Sequence, residues 1–422
     1  MQKSFLILHL LNNVRSELRF WSFDQASGAW SLHHTIHGQG VAQISMQGVH
    51  GTRSDELFAT SSSYTLPTTL SSCHAQSPSK QSPLKSLPVF FDAAGLQEEQ
   101  YEATSLDGTK VPYFLVSRTG APLDGSTPTL LYGYGGFELN QTPGYSATVG
   151  VAWLEKGYAY AVACTRGGAE FGPSWHQAGR KQHRHRVYED FEAVAKDLVA
   201  RGVTSHERLG VEGGSNGGML TGNMITRSPE LFGAIISEVP LLDMRRYTKL
   251  LAGASWVDEY GDPRVAGEWD FLRHNSPYHT LRAGAHPTPT LVTTSTRDDR
   301  VHPAHARKLV GKMYDLGLPV LSYENIEGGH GGAANSEQRA FMSTLTFTFL
   351  EKALAERSLA PTLAKRAPRD GGRRTLANWL YFMGAAASTV GSLRIPRPPA
   401  KWVAAALALA AAVALRPRLR LR

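Results

Sequence analysis

Leu209-Gly-Val-Glu-Gly-Gly-Ser-Asn-Gly-Gly218 joins a short apolar run to a stretch of helical periodicity over 217–227. Its Gly213-x-Ser215-x-Gly217 spacing is that of a nucleophile elbow, a sharp strand-to-helix turn that holds a serine in a strained backbone conformation with Oγ exposed. The glycines two residues before and after relieve crowding around that turn. A Gly-rich turn without chemistry, or a phosphate-binding loop, would share the pattern, so the surrounding chain decides its meaning.

On both sides of this stretch, apolar runs alternate with amphipathic segments. The runs at 129–134, 158–164, 209–212, 234–239, 291–295 and 320–325 read as strands, and 187–201, 217–227, 304–316 and 337–355 read as helices. Near-continuous apolar strands separated by helices are the pattern of a parallel sheet covered on both faces. The expected fold is α/β, a doubly wound sheet over residues 96–358, with its chemistry in loops at the carboxyl ends of the strands.

Two more such loops carry reactive residue types. Thr296-Arg-Asp-Asp-Arg-Val301 follows the strand at 291–295, where a carboxylate can orient a histidine and stabilise its imidazolium form. Either Asp298 or Asp299 could do this, the other being a turn or capping residue. Gly328-Gly-His-Gly-Gly332 precedes the last helix, and the glycines let His330 approach a nucleophile without side-chain crowding. Ser, Asp and His thus follow in the chain order of the α/β-hydrolases, which differs from the orders of the chymotrypsin and subtilisin triads. The N–H of Asn216, next after the nucleophile, can donate to an oxyanion; a second donor is expected from Leu131-Tyr-Gly-Tyr-Gly-Gly-Phe137.

The chain resembles the prolyl oligopeptidase family of serine peptidases. The resemblance is carried by YGYGGF at 132–137, Arg166-Gly-Gly168 with Phe171-Gly172 and Trp175-His176, GGSNGG at 213–218, Ala254-Ser-Trp256 through Tyr260-Gly261, Asp298-Asp-Arg-Val301 and GGHGG at 328–332. It spans about 98–354. It implies a Ser215, Asp298 and His330 triad and selects Asp298 over Asp299. It further implies Tyr134 as a hydroxyl donor to the oxyanion, Arg300 on a substrate carbonyl, and a proline pocket lined by Phe137, Trp256, Tyr260 and Val301. The implied activity is hydrolysis of short peptides on the carboxyl side of proline, without metal or cofactor.

A flat indole suits proline because the pyrrolidine is rigid, apolar and has no N–H to satisfy. A basic residue in its place would need a carboxylate, for which Glu238 is the nearby candidate. An esterase or acylaminoacyl hydrolase would use the same machinery, and a degenerate binding scaffold is the non-enzyme alternative; three intact reactive residues speak against the last.

Residues 1–95 read differently, as short alternating runs punctuated by Gly, Asn, Asp and Ser, with the apolar N-terminus as a strand and the Ser/Pro/Gln-rich 72–88 as a linker. This is enough antiparallel sheet for one or two propeller blades, too little to close a ring. The family's propeller would therefore be only partly represented.

Residues 359–422 form a basic, hydrophobic tail. From 360 onward it holds twelve Lys or Arg against one acid, so that of the net +8 the tail carries +11 and the body −3. The body therefore offers no footprint for nucleic acid. The apolar run at 402–415 is shorter than a bilayer-spanning helix needs, and a low-complexity extension is expected in preference to a membrane contact. Two cysteines 91 positions apart support neither a disulfide framework nor a zinc site, which suits a reducing, cytoplasmic setting. Peptides are the expected partners; the sequence leaves the oligomeric state open.

Overall fold

A computed structural model of the chain describes residues 3–359. Seven antiparallel strands come first: β1 (Leu6–Asn12), β2 (Arg15–Asp24) and β3 (Ala29–His37) in one sheet, β4 (Gln43–Gly48), β5 (Glu56–Ser62), β6 (Thr69–His74) and β7 (Ser82–Ser86) in another. Phe5, Leu18, Phe20, Met46 and Leu57 join the two sheets in a common core. The expectation of a linker at 72–88 is corrected here, because this segment completes β6 and forms β7. All five residues of β7 are exposed. An edge strand with neither face buried needs no apolar alternation, and its composition then reads as loop. Pro83 is tolerated because it sits on that edge beside an irregularity in the pairing at Leu70/Ser71.

The remaining strands form one sheet: β8 (Leu96–Thr104), β9 (Lys110–Arg118), β10 (Thr129–Tyr132), β11 (Ala159–Ala163), β12 (Leu209–Gly214), β13 (Ala234–Glu238), β14 (Thr290–Ser295) and β15 (Val320–Asn325). Their order is β15-β14-β13-β12-β10-β11-β9-β8. The six from β10 to β15 run parallel, and the hairpin β8-β9 closes one edge antiparallel.

Adjacent residues of each parallel strand supply opposite cores, as the two-residue period of a pleated strand requires. Leu131, Val211, Ile235, Val292 and Val320 face the helices His185–Ala200, Asn216–Arg227 and Ala304–Asp315. Leu130, Ile236, Leu291 and Leu321 face Trp153 and the helix Ser336–Leu350. Truncating any of these fully buried side chains to Ala would cost roughly 2–5 kcal/mol.

The basic tail from 360 onward, with its apolar run at 402–415, lies outside the described residues. Among the described residues no helix is long and apolar enough to cross a membrane, and no group of three or more His, Cys, Asp or Glu is placed to hold a metal.

Candidate active site

β12 ends at Gly214 and the helix Asn216–Arg227 begins two residues later, so Ser215 alone makes the turn. Its φ of 59° is left-handed, a costly conformation for a residue with a side chain. The Ser215 N–H donates to the Glu238 carbonyl at 2.8 Å, which holds the turn to β13. The flanking glycines are required by space: a Cβ on Gly213 would stand 2.3 Å from the Gly217 carbonyl oxygen, and one on Gly217 would stand 2.7 Å from that of Gly133.

His330 Nε2 lies 3.0 Å from Ser215 Oγ, and its Nδ1 lies 3.0 and 2.9 Å from the two carboxylate oxygens of Asp298. Asp298 Oδ1 also accepts the backbone N–H groups of Arg300 and Val301, each at 2.9 Å. The Asp298 side chain is fully buried, whereas Asp299 is exposed. A carboxylate only accepts, so it places the proton on Nδ1 and leaves Nε2 free to take the serine proton.

Nine of the ten residues singled out in the sequence line a single cavity of about 240 Å³: Tyr134, Phe137, Ser215, Asn216, Trp256, Tyr260, Arg300, Val301 and His330. Asp298, the tenth, sits behind His330. Leu139 and Leu241 complete the wall. Neither stands out in the sequence, since Leu139 is an isolated apolar residue in a loop and Leu241 belongs to the short apolar run 239–242, which carries no reactive residue type. Leu241 could have been found from its place two residues beyond Val239, just past β13, a strand whose end already faces the elbow.

Phe137 and Tyr260 meet edge to face, with centroids 5.6 Å apart. Phe137 and Glu138 are both left-handed, at φ 56° and 57°, and are held there by bonds from their N–H groups to Glu259 Oε1 and the Gly167 carbonyl, each at 3.1 Å. Burial pushes the Tyr134 phenol up, so it remains a neutral donor at physiological pH.

Glu238 does not line the cavity. Its Oε1 faces Thr346 on the covering helix at 3.4 Å, and burial raises its carboxyl above the ordinary carboxylate range. The carboxylate considered for a basic specificity pocket is therefore directed elsewhere.

Residues 145–357 match the model described as "Prolyl oligopeptidase family". The chain belongs to this family. It is 48% identical over 355 residues to the uncharacterized peptidase y4nA of Sinorhizobium fredii, covering 84% of this chain and 48% of that protein. It is 37% identical over 287 residues to the prolyl endopeptidase of Elizabethkingia miricola, covering 67% of this chain and 40% of the relative. A solved prolyl endopeptidase structure aligns with TM-score 0.78 and 36% identity over 84% of this chain and 52% of its own. A post-proline cleaving enzyme from Rickettsia typhi aligns at 0.75 and 32%, over 84% and 51% respectively. The chain thus spans about half the length of the family members it matches.

Proposed function

We propose that the chain is a serine peptidase that hydrolyses short peptides on the carboxyl side of proline. The observation that carries this reading is the placement of His330 between Ser215 Oγ and the Asp298 carboxylate, at the mouth of a cavity walled by Phe137, Trp256, Tyr260 and Val301.

In the proposed reaction Ser215 Oγ attacks the carbonyl carbon of the scissile bond while its proton passes to His330 Nε2. Asp298 holds the imidazole and balances its positive charge. The Asn216 N–H and the Tyr134 hydroxyl donate to the oxyanion, where such donors contribute most. Collapse of the tetrahedral intermediate breaks the C–N bond as His330 gives its proton to the departing amine, leaving an acyl group on Ser215. Water, deprotonated by the same imidazole, then releases the acid. Arg300, exposed at the rim, is suited to hold a substrate carbonyl, and Trp256 to lie against the pyrrolidine.

The two cysteines are unpaired, which supports a cytoplasmic setting. The test has two parts: fluorophosphonate labelling, which should modify wild type and spare Ser215→Ala, and turnover of amide substrates with proline, arginine or alanine before the scissile bond. A labelled enzyme that prefers arginine or alanine would refute the proline assignment, and an unlabelled folded chain would refute the hydrolase itself.

A further inference from the structure

Behind the cavity lies an ionic cluster that the proposed chemistry does not use. Arg184, at the start of the helix His185–Ala200, is 1% exposed and Glu259 is 5% exposed. Arg184 Nη1 donates to Glu259 Oε1 at 3.0 Å, and Glu259 Oε2 meets His176 Nε2 at 2.7 Å.

The outward contacts of this pair end on Asn216, at the start of the helix Asn216–Arg227, and on the loop Tyr134–Phe137. Arg184 Nη2 donates to Asn216 Oδ1, which also accepts the Tyr260 hydroxyl at 2.8 Å. Asn216 Nδ2 donates to the Tyr134 carbonyl at 2.6 Å, and the Phe137 N–H donates to Glu259 Oε1 at 3.1 Å. The Tyr134–Phe137 loop is therefore tied at one end through Asn216 and at the other by Glu259. A guanidinium has only donors, so it can face only the oxygen of the Asn216 amide, and this turns the NH₂ toward Tyr134. Without the guanidinium Oδ1 keeps only the Tyr260 hydroxyl, which can also accept, so the orientation of the NH₂ toward Tyr134 is held less firmly.

Stability alone is a poor account of the pair. A buried ion pair commonly breaks even against an apolar replacement, because desolvation offsets attraction. Its geometric effect is specific: one side chain, Asn216, spaces its own N–H from the loop that carries the Tyr134 hydroxyl.

We propose that Arg184 and Glu259 are positioning residues that set the separation of the two oxyanion donors, Asn216 N–H and Tyr134 Oη, and link it to the pocket wall through Tyr260 and Phe137. This rests on the hydrolase reading above.

The test is a double-mutant cycle on the full chain with a fluorogenic proline amide, comparing wild type, Arg184→Lys, Tyr134→Phe and the double variant. Lysine keeps the charge but replaces the rigid, forked guanidinium by a single mobile ammonium, so the spacing between Asn216 and Glu259 is no longer fixed. Arg184→Lys is expected to lower kcat about 10- to 100-fold with KM within about threefold, since misplaced donors act in the transition state. In the Tyr134→Phe background the same change should cost only about threefold, because the donor it positions is already gone. Effects that multiply across the cycle, or a raised KM at unchanged kcat, would overturn the inference. If Arg184→Lys lacks a native melting transition, Glu259→Gln takes its place in the cycle; if both variants lack one, the pair is a stability element and the inference fails. Fluorophosphonate labelling of wild type separates the two hypotheses. An unlabelled wild type overturns the hydrolase reading and this one with it, whereas a labelled, active wild type with multiplicative variants overturns only the positioning role.

Discussion

Asp298 Oδ1 accepts the Val301 N–H at 2.9 Å, so the carboxylate that faces His330 also pins a residue of the cavity wall. Asparagine in its place can still accept from the loop N–H groups, but it turns an NH₂ toward His330 and favours the wrong tautomer. Asp298→Asn should therefore lower kcat on the order of 10³-fold or more with little change in KM. Asp298→Ala should raise KM as well, and Asp299→Asn should stay near wild type. Steady-state kinetics on a proline amide would check all three, and a more damaging change at Asp299 would reassign the acid.

Ser215→Ala and His330→Ala should each cost at least about 10³-fold, and the pair together little more than either alone, because the nucleophile and its base act as a unit. Multiplicative losses in the double variant would contradict a shared proton transfer.

Trp256 is half-buried in the cavity wall and is its only indole among the described residues. Trp256→Ala should lose about 2 kcal/mol or more in kcat/KM for proline substrates, and much less for alanine ones, since only the ring has a flat face to stack on. An equal loss on both would mean that the indole shapes the site without selecting proline.

Glu238 makes an opposite prediction. Because its carboxyl faces Thr346 and not the cavity, Glu238→Gln should leave the ratio of kcat/KM for proline over arginine amides within about threefold of wild type. A substantial shift in that ratio would return Glu238 to the specificity pocket.

Glu212 on β12 is pushed up to about 8 by burial first and by the neighbouring Glu238 second. A carboxyl raised in the folded state favours folding most below its unfolded value, about 4.5, and that contribution is lost as pH rises toward 8. Glu212→Gln should thus match wild type near pH 4 and exceed it in stability by about 1–3 kcal/mol at pH 9. Thermal melts across that range would read the difference; a constant gap would show that Glu212 is not titrating with unfolding.

The parallel sheet is legible because strands buried on both faces have no polar alternation: 158–164 is an uninterrupted apolar run and 234–239 is broken only by Ser237 and Glu238, and β11 and β13 occupy them. β7 is illegible for the complementary reason, since no face of it is buried. In the site, Ser215, His330 and the Asp298-Asp299 step announce themselves by glycine spacing and by position after a strand. Arg184 and Glu259 do not, and His176 is visible only as part of the Trp175-His176 pair, with nothing to mark it as a partner of either. They meet across separations of 75 and 83 residues, and each alone looks like an ordinary charged surface residue. Burial makes them a cluster, and burial of a charge leaves no local pattern in a sequence.

The loops bearing Tyr134 and Ser215 leave neighbouring parallel strands, β10 and β12, where Tyr132 stands opposite Glu212 in the middle of the eight-stranded order. Edge opening at β8 or β15 therefore peels away no part of the frame that holds these two loops in step. Fraying, which claims the outer strands first, would leave the central pair registered until the sheet parts as a whole. The His330 loop, by contrast, leaves β15, an edge strand, so heat inactivation should begin below the global melting transition, the base drifting away while the nucleophile and its oxyanion donors are still in register.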